Sequence, residues 1–456
     1  MKKPFGALLV ILLISLFTGC LESSTDSVVD GDVVDDDDIK TDDVQVASLM
    51  TASADSAVIE MFKSGTAGEF EDPDDMFPYL KEIALLYMDA AEKDPTNSRA
   101  NFGAALFSFQ GMLDDPLVLE VENLIESLDT EFPDVTAKYV NHYFMSGIAK
   151  TTDDIDIFGD PFESINTLMI SIQNALSNPN MIAYIQNMID NVLVDQIDES
   201  IGYMDKVITD KEFVYHITPE MTGEIETYEL DLGEVYMFAA MMRAMRANLK
   251  IMNAYDLSIG LPQDYYPETL LNMIIAQDTN NGSFLTLRNN TTLPSAKQDL
   301  INALTMIENA VVFIESETDS QENDLIKQGD ILEADGDIMY DINEEDNPIP
   351  VLRNITGITD LSGRIKTMLD GPFDVEIDEG VTISFDISAF LDNGIPDIKA
   401  LLPYHTWNMN NLDEPFSLVD AEGNLTDGPI FPDVTFGGLL PGMTWEMFVT
   451  LTDDIE

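Results

Sequence analysis

From about residue 45 to residue 370, apolar residues recur at intervals of three and four. Asp-Pro, Asn-Pro and glycine steps interrupt the pattern. That period puts one apolar stripe on each segment and makes it a helix that must bury that stripe on a neighbour. The pattern predicts helices near 45–63, 75–93, 97–112, 116–129, 134–148, 162–177, 180–208, 232–255, 266–276, 295–317, 321–343 and 350–369. With 456 residues the chain is too long for one simple core, so more than one compact unit is expected. A hydrophobic content of 45% is enough to fill such interiors. The fold class expected is mainly α: an irregular bundle of helical hairpins, solenoid-like, with a small C-terminal β-rich module.

Charge limits what the surface can meet. Asp and Glu number 85 against 21 Lys and Arg, a net charge of −64. A surface of that sign repels nucleic acid and anionic lipid headgroups, so nucleic-acid binding is excluded. The acids do not form a calcium loop. Asp330 to Asp346 is acid-rich and holds Gly336, but its spacing does not match the EF-hand pattern of alternating acids, a sixth-position glycine and a twelfth-position Glu. No dedicated metal or cofactor is expected, and such a surface is compatible with loosely held divalent cations.

The N-terminus has a different composition. Lys2 and Lys3 precede an almost unbroken apolar run from Gly6 to Phe17, closed by Thr18-Gly19-Cys20. The run is short for a transmembrane helix and has the layout of a secretory signal peptide. Leu16-Phe17-Thr18-Gly19-Cys20 resembles the lipobox of bacterial lipoproteins, with Phe17 where that family places an aliphatic residue. The resemblance implies cleavage before Cys20, a diacylglyceryl thioether on its sulfur and acylation of the new amino group. Two or more acyl chains anchor stably. Cys20 is the only cysteine. Once lipidated, it leaves no thiol for a disulfide, a nucleophile or a thiolate metal site, so the core alone must stabilise the fold.

Residues 1–19 are then a signal peptide and 20–44 an acidic tether, with Asp35 to Asp38 as its densest stretch. The tether has no aromatic residue with which to order itself. A flexible chain of that length spans about 25–30 Å, and self-repulsion extends it further. Leu21, rather than Asp, follows the cysteine. By resemblance to enterobacterial sorting, this favours the outer membrane, on its periplasmic or surface face. Acid-rich stretches after the anchor also resemble surface-export signals of some lipoproteins.

Within the helical domain, 45–370, the stretch Ile83 to Pro95 resembles the second helix of a tetratricopeptide repeat. Tyr87, Ala90 and Pro95 fall at that family's aromatic, alanine and proline spacing. No clean period of about 34 residues recurs elsewhere, so degenerate repeats and an irregular helical bundle both remain open.

The helix expected at 232–255 has Asp231 placed to cap it and Glu234 at the capping-box position. Val235, Phe238, Met242, Met245, Leu249 and Met252 form its core stripe, and Arg243, Arg246 and Lys250 form a second, basic stripe. These three cations either salt-bridge neighbouring acidic helices or contact a small anion between helices. Ahead of this helix, Phe213 to Ile217 and Glu224 to Leu230 alternate as a hairpin does.

Residues 371–456 read as the β-rich module. Phe373, Val375 and Ile377 alternate with acids, as do Val381, Ile383, Phe385 and Ile387 after the turn at Asp378-Glu379-Gly380. A tail from Pro415 to Gly442 is dense in Gly and Pro. Histidines are His142, His216 and His405, and no two have a metal-ligand spacing. No Walker loop, dinucleotide fingerprint, H-E-x-x-H or G-x-S-x-G elbow is present. No catalytic residue is identified, and no enzymatic activity is expected. The function expected is that of a lipid-anchored interaction scaffold or assembly factor with an envelope protein partner. The alternatives are a ligand-binding accessory of a transport system and an envelope hydrolase using a carboxylate pair.

Overall fold

The structure is a computed structural model, and it describes residues 41–66, 76–118, 179–219, 227–258, 283–317, 324–329, 331–332, 349–378, 381–401, 405–407, 416–418 and 431–448. The signal peptide, Cys20, most of the tether, the helices expected at 134–148, 162–177 and 266–276, most of those at 116–129 and 321–343, and His142 lie outside the described residues. The described part is mainly helical, with short antiparallel strand pairs.

Helix α1 (Thr41–Thr66) begins four residues before its expected start. It buries Ala47, Thr51, Ala54, Val58 and Met61, spaced by three and four. Helix α2 (Phe77–Lys93) opens with Pro78 in its first turn and buries Leu80, Ile83, Ala84, Tyr87, Ala90 and Ala91. Asp94 ends it, accepting from the Thr96 amide and hydroxyl while Pro95 blocks continuation. Asn97 then caps α3 (Ser98–Phe107) by accepting from the Ala100 amide at 3.0 Å. α2 packs between α1 and α3. From Ala100 to Phe107 every residue of α3 is buried, so this short helix is enclosed on all sides.

After α3 the chain tightens into a 3-10 turn, Ser108–Asp114. The segment expected as one helix over 180–208 forms α4 (Pro179–Met188), a π turn at Ile189–Leu193 and α5 (Val194–Val207) without a break. α5 packs on α3, where the buried Ser200 hydroxyl donates to the Ala105 carbonyl at 2.8 Å. The expected hairpin follows as β1 (Tyr215–Ile217) and β2 (Tyr228–Leu230), with His216 opposite Glu229. Phe102 of α3 lies 5.3 Å from Phe213 and 5.2 Å from Tyr215, ring centre to ring centre.

Helices α6 (Leu232–Met252) and α7 (Thr292–Ser316) come next. The stripe expected on α6 is partly displaced. Val235 and Met242 are buried, but Met252 is 50% exposed, and Leu232, Tyr236, Ala239, Ala240 and Ala247 take core positions instead. The small residues let neighbours approach along a face that a search for large apolar side chains does not find. The single helix expected at 350–369 is two pieces, a 3-10 turn at Pro350–Leu352 and α8 (Ile358–Asp370). Asn354, in the left-handed region at φ 57°, turns the chain between them.

Strands β3 (Phe373–Asp378) and β4 (Val381–Phe385) form the second expected hairpin, with a register shift between Glu376 and Asp378. Sequence reading missed α9 (Ile387–Asn393) behind it. Its punctuation was present: Asp386 accepts from the Ala389 amide, and Gly394 follows at φ 64°. β5 (His405–Trp407) and β6 (Phe416–Leu418) make a third strand pair.

By packing, the described residues up to 118, those of 184–246 and those of 305–332 form one compact unit. Those of 179–183, 247–304 and 349–448 form a second. The expected boundary near residues 370–371 therefore falls inside the second unit, and α6 and α7 contribute residues to both. The first has the larger core, built from α1, α2, α3, α5, the β1–β2 hairpin and parts of α6 and α7. The second is centred on Ala254, Tyr255, Leu293, Leu369 and Leu391.

Candidate functional site

The basic stripe of α6 faces acids on neighbouring helices. Arg243 is 6% exposed and reaches Asp205 of α5 at 2.5 Å, with a second bond to the Ala239 carbonyl. Arg246 pairs with Asp198, also on α5. Lys250 donates to Asp299 of α7 at 2.8 Å and to Ser295 at 2.9 Å. In a chain so short of cations, these three tie helices together, and an incoming anion has to displace a carboxylate at each.

A second polar cluster was not visible in the sequence. The Tyr87 hydroxyl donates to Asp55 Oδ1 at 2.6 Å, and Arg99 Nε contacts Asp55 Oδ2 at 2.8 Å. The Arg99 guanidinium lies 4.7 Å from the centre of the Tyr215 ring, within cation–π range. The cluster joins α1, α2, α3 and β1. Burial, followed by the neighbouring Tyr215 hydroxyl and the Asp55 carboxylate, pushes the Tyr87 hydroxyl far above its ordinary range. Burial, then Asp55, pushes Tyr215 up to about 12. Both stay protonated at any physiological pH, so the cluster acts as a lock and has no proton to pass.

The capping box at the start of α6 forms as expected. Asp231 Oδ1 accepts the Gly233 amide at 2.6 Å, and Glu234 Oε2 accepts the Asp231 amide at 2.9 Å. Glu234 Oε1 also accepts the Ile326 amide at 2.8 Å, a bond that local spacing does not predict. Burial and then the Asp231 charge raise Glu234 to about 8, against the lowering effect of these amides.

Beside this cap opens a cleft of about 260 Å³. Phe213, Val214 and Phe313 give it apolar wall, and Glu212, Glu229, Asp231 and Glu317 supply carboxylates. Lys211 also lines it, but its ammonium is engaged with the Ile208 carbonyl at 2.9 Å and the Tyr236 hydroxyl at 3.3 Å. Apolar wall with an acidic border suits an aliphatic or aromatic side chain that ends in a positive charge.

His216 is exposed on β1, and His405 lies on β5 opposite Leu418. Among the described residues no three His, Cys, Asp or Glu side chains gather as a metal would require, and no helix is long and apolar enough to cross a membrane. No known protein family, curated protein or solved structure matches the chain.

Proposed function

We propose that this is a lipid-anchored protein of the bacterial cell envelope, held through Cys20, that acts as a non-catalytic interaction scaffold or assembly factor. The lipobox-like end of the apolar run supports the anchor, and the acidic tether then spaces the folded body from the lipid. Close packing of the α2–α3 hairpin supports a helical scaffold: Gly103 lies against the ring of Tyr87, so close that a Cβ there would sit 2.4 Å from it. Stacked helical hairpins, which degenerate tetratricopeptide-like repeats would supply, present surfaces suited to peptides and partner proteins.

The observation that carries the reading is the cleft bordered by Glu212, Glu229, Asp231 and Glu317, which we assign to a basic side chain of an envelope partner. The anion-binding alternative has its three cations, Arg243, Arg246 and Lys250, already paired. For a hydrolase, Asp231 and Glu234 make a poor acid–base pair, since Glu234 is 2% exposed and committed to two backbone amides.

The test is capture from detergent-solubilised envelopes with wild-type protein and with the E229K/E317K double variant. The reading requires a partner that the wild type retains and the variant loses at unchanged stability. Equal retention by both removes the cleft from the account.

A further inference from the structure

The carboxylates that border the cleft beside the α6 cap come from different parts of the chain. Glu212 lies ahead of β1, Glu229 on β2, Asp231 at the cap and Glu317 just past α7. Lys211 lines the wall, yet its ammonium is held outside by the Ile208 carbonyl at 2.9 Å and the Tyr236 hydroxyl at 3.3 Å. The half-buried Phe313 contributes ring surface to the wall. Glu212 is exposed and Val214 is 39% exposed, so the mouth opens to solvent.

We propose that this cleft selects arginine: it takes the guanidinium of an arginine-bearing segment of a partner protein in preference to a lysine. The proposal rests on the reading of the cleft as a site for a basic side chain, and narrows it. The same compact unit already holds a guanidinium between a ring and a carboxylate. Two residues beyond Phe213, the Tyr215 ring has the Arg99 guanidinium 4.7 Å from its centre, while Arg99 Nε meets Asp55 at 2.8 Å. The side chains of Arg243 and Arg246, 7% and 13% exposed, are likewise taken out of water against Asp205 and Asp198. Lysines nearby are treated differently. Lys206 lies 4.8 Å from the centre of the Tyr203 ring, and both it and Lys211 remain exposed.

A guanidinium is planar, weakly hydrated and carries its donors around its edge. Its face can lie on the Phe313 ring while its edge is shared among carboxylates of different elements. An ammonium is compact and strongly hydrated, so an apolar wall strips it of more. The net charge of −64 draws any cation to the surface, so charge supplies the attraction and the wall supplies the choice. With the mouth open, the side chain enters and its backbone stays outside, which favours a segment of polypeptide over an enclosed small molecule.

The test is equilibrium binding of the end-blocked, dye-labelled peptide Gly-Val-Arg-Val-Gly to the full chain at about 0.15 M salt, beside versions with lysine or uncharged citrulline at the centre. The arginine peptide should bind about three- to tenfold more tightly than the lysine peptide, and the citrulline peptide should not bind measurably. Phe313→Leu should bring arginine down to the level of lysine, and E229K/E317K should abolish both. Equal binding of arginine and lysine, both lost in E229K/E317K, would overturn the selectivity and leave the reading of the cleft in place. An arginine peptide that binds no more tightly than citrulline, or that binds E229K/E317K unchanged, would overturn both. A full arginine preference in a Phe313→Leu protein of wild-type stability would overturn the proposal, as would free arginine amide binding as tightly as the peptide. The wild-type series of peptides decides even if a variant does not fold.

Discussion

Tyr87 is 0% exposed, and its hydroxyl ends on Asp55, which also holds Arg99. Tyr87→Phe removes a hydrogen bond to a half-buried carboxylate and should cost about 1–3 kcal/mol in urea unfolding. Gly103→Ala forces a methyl group into the Tyr87 ring, and overpacking of that kind should cost a similar amount, about 1–3 kcal/mol. A Gly103→Ala protein as stable as the wild type would show that α2 and α3 do not approach as described. None of the Asp55, Tyr87, Arg99 and Tyr215 cluster was legible in the sequence except Tyr87, noted for its spacing. The four lie on four elements, and only the tertiary fold brings them together.

At the scale of elements, what was legible is what is encoded locally. The capping box of α6 was readable because Asp231, Gly233 and Glu234 lie within one turn. Both hairpins were readable from alternation, although β1 keeps only three residues of the run expected at 213–217. Features set by distant partners were not readable. Met252 fits the apolar period of α6 yet faces solvent, because Ala254 and Tyr255 just beyond it enter the second core instead. Residues 350–369 keep an apolar rhythm across a turn at Asn354, so periodicity alone joined two elements. Asn97 offers an element-scale test. It caps α3 and also donates to Thr51 of α1 at 3.1 Å. Asn97→Ala should lower stability by about 1 kcal/mol, and Asn97→Asp, which keeps the cap acceptor, by less. Equal losses in the two variants would argue that the bond to Thr51, rather than the cap, matters.

For the whole molecule, the dominant quantity is a net charge of −64. Ion pairs such as Arg243 with Asp205 use cations to join helices, and repulsion among the excess acids opposes compaction everywhere else. Raising ionic strength from about 0.01 to 0.15 M shortens the Debye length from about 30 to 8 Å. The midpoint of thermal unfolding should therefore rise, since screening relieves more repulsion than it weakens attraction. A fall would mean that the ion pairs outweigh the excess charge. The scale of the whole molecule also includes the proposed attachment through Cys20, on which the functional reading depends. The most direct test is the intact mass of the N-terminal peptide of the protein isolated from envelopes of a bacterial host, alongside membrane partition of wild type and Cys20→Ala. The account predicts that the chain begins at Cys20 carrying a diacylglyceryl group and an N-acyl chain, and that Cys20→Ala is neither cleaved there nor lipidated. A wild-type chain that retains Met1, or an unmodified Cys20, would contradict it.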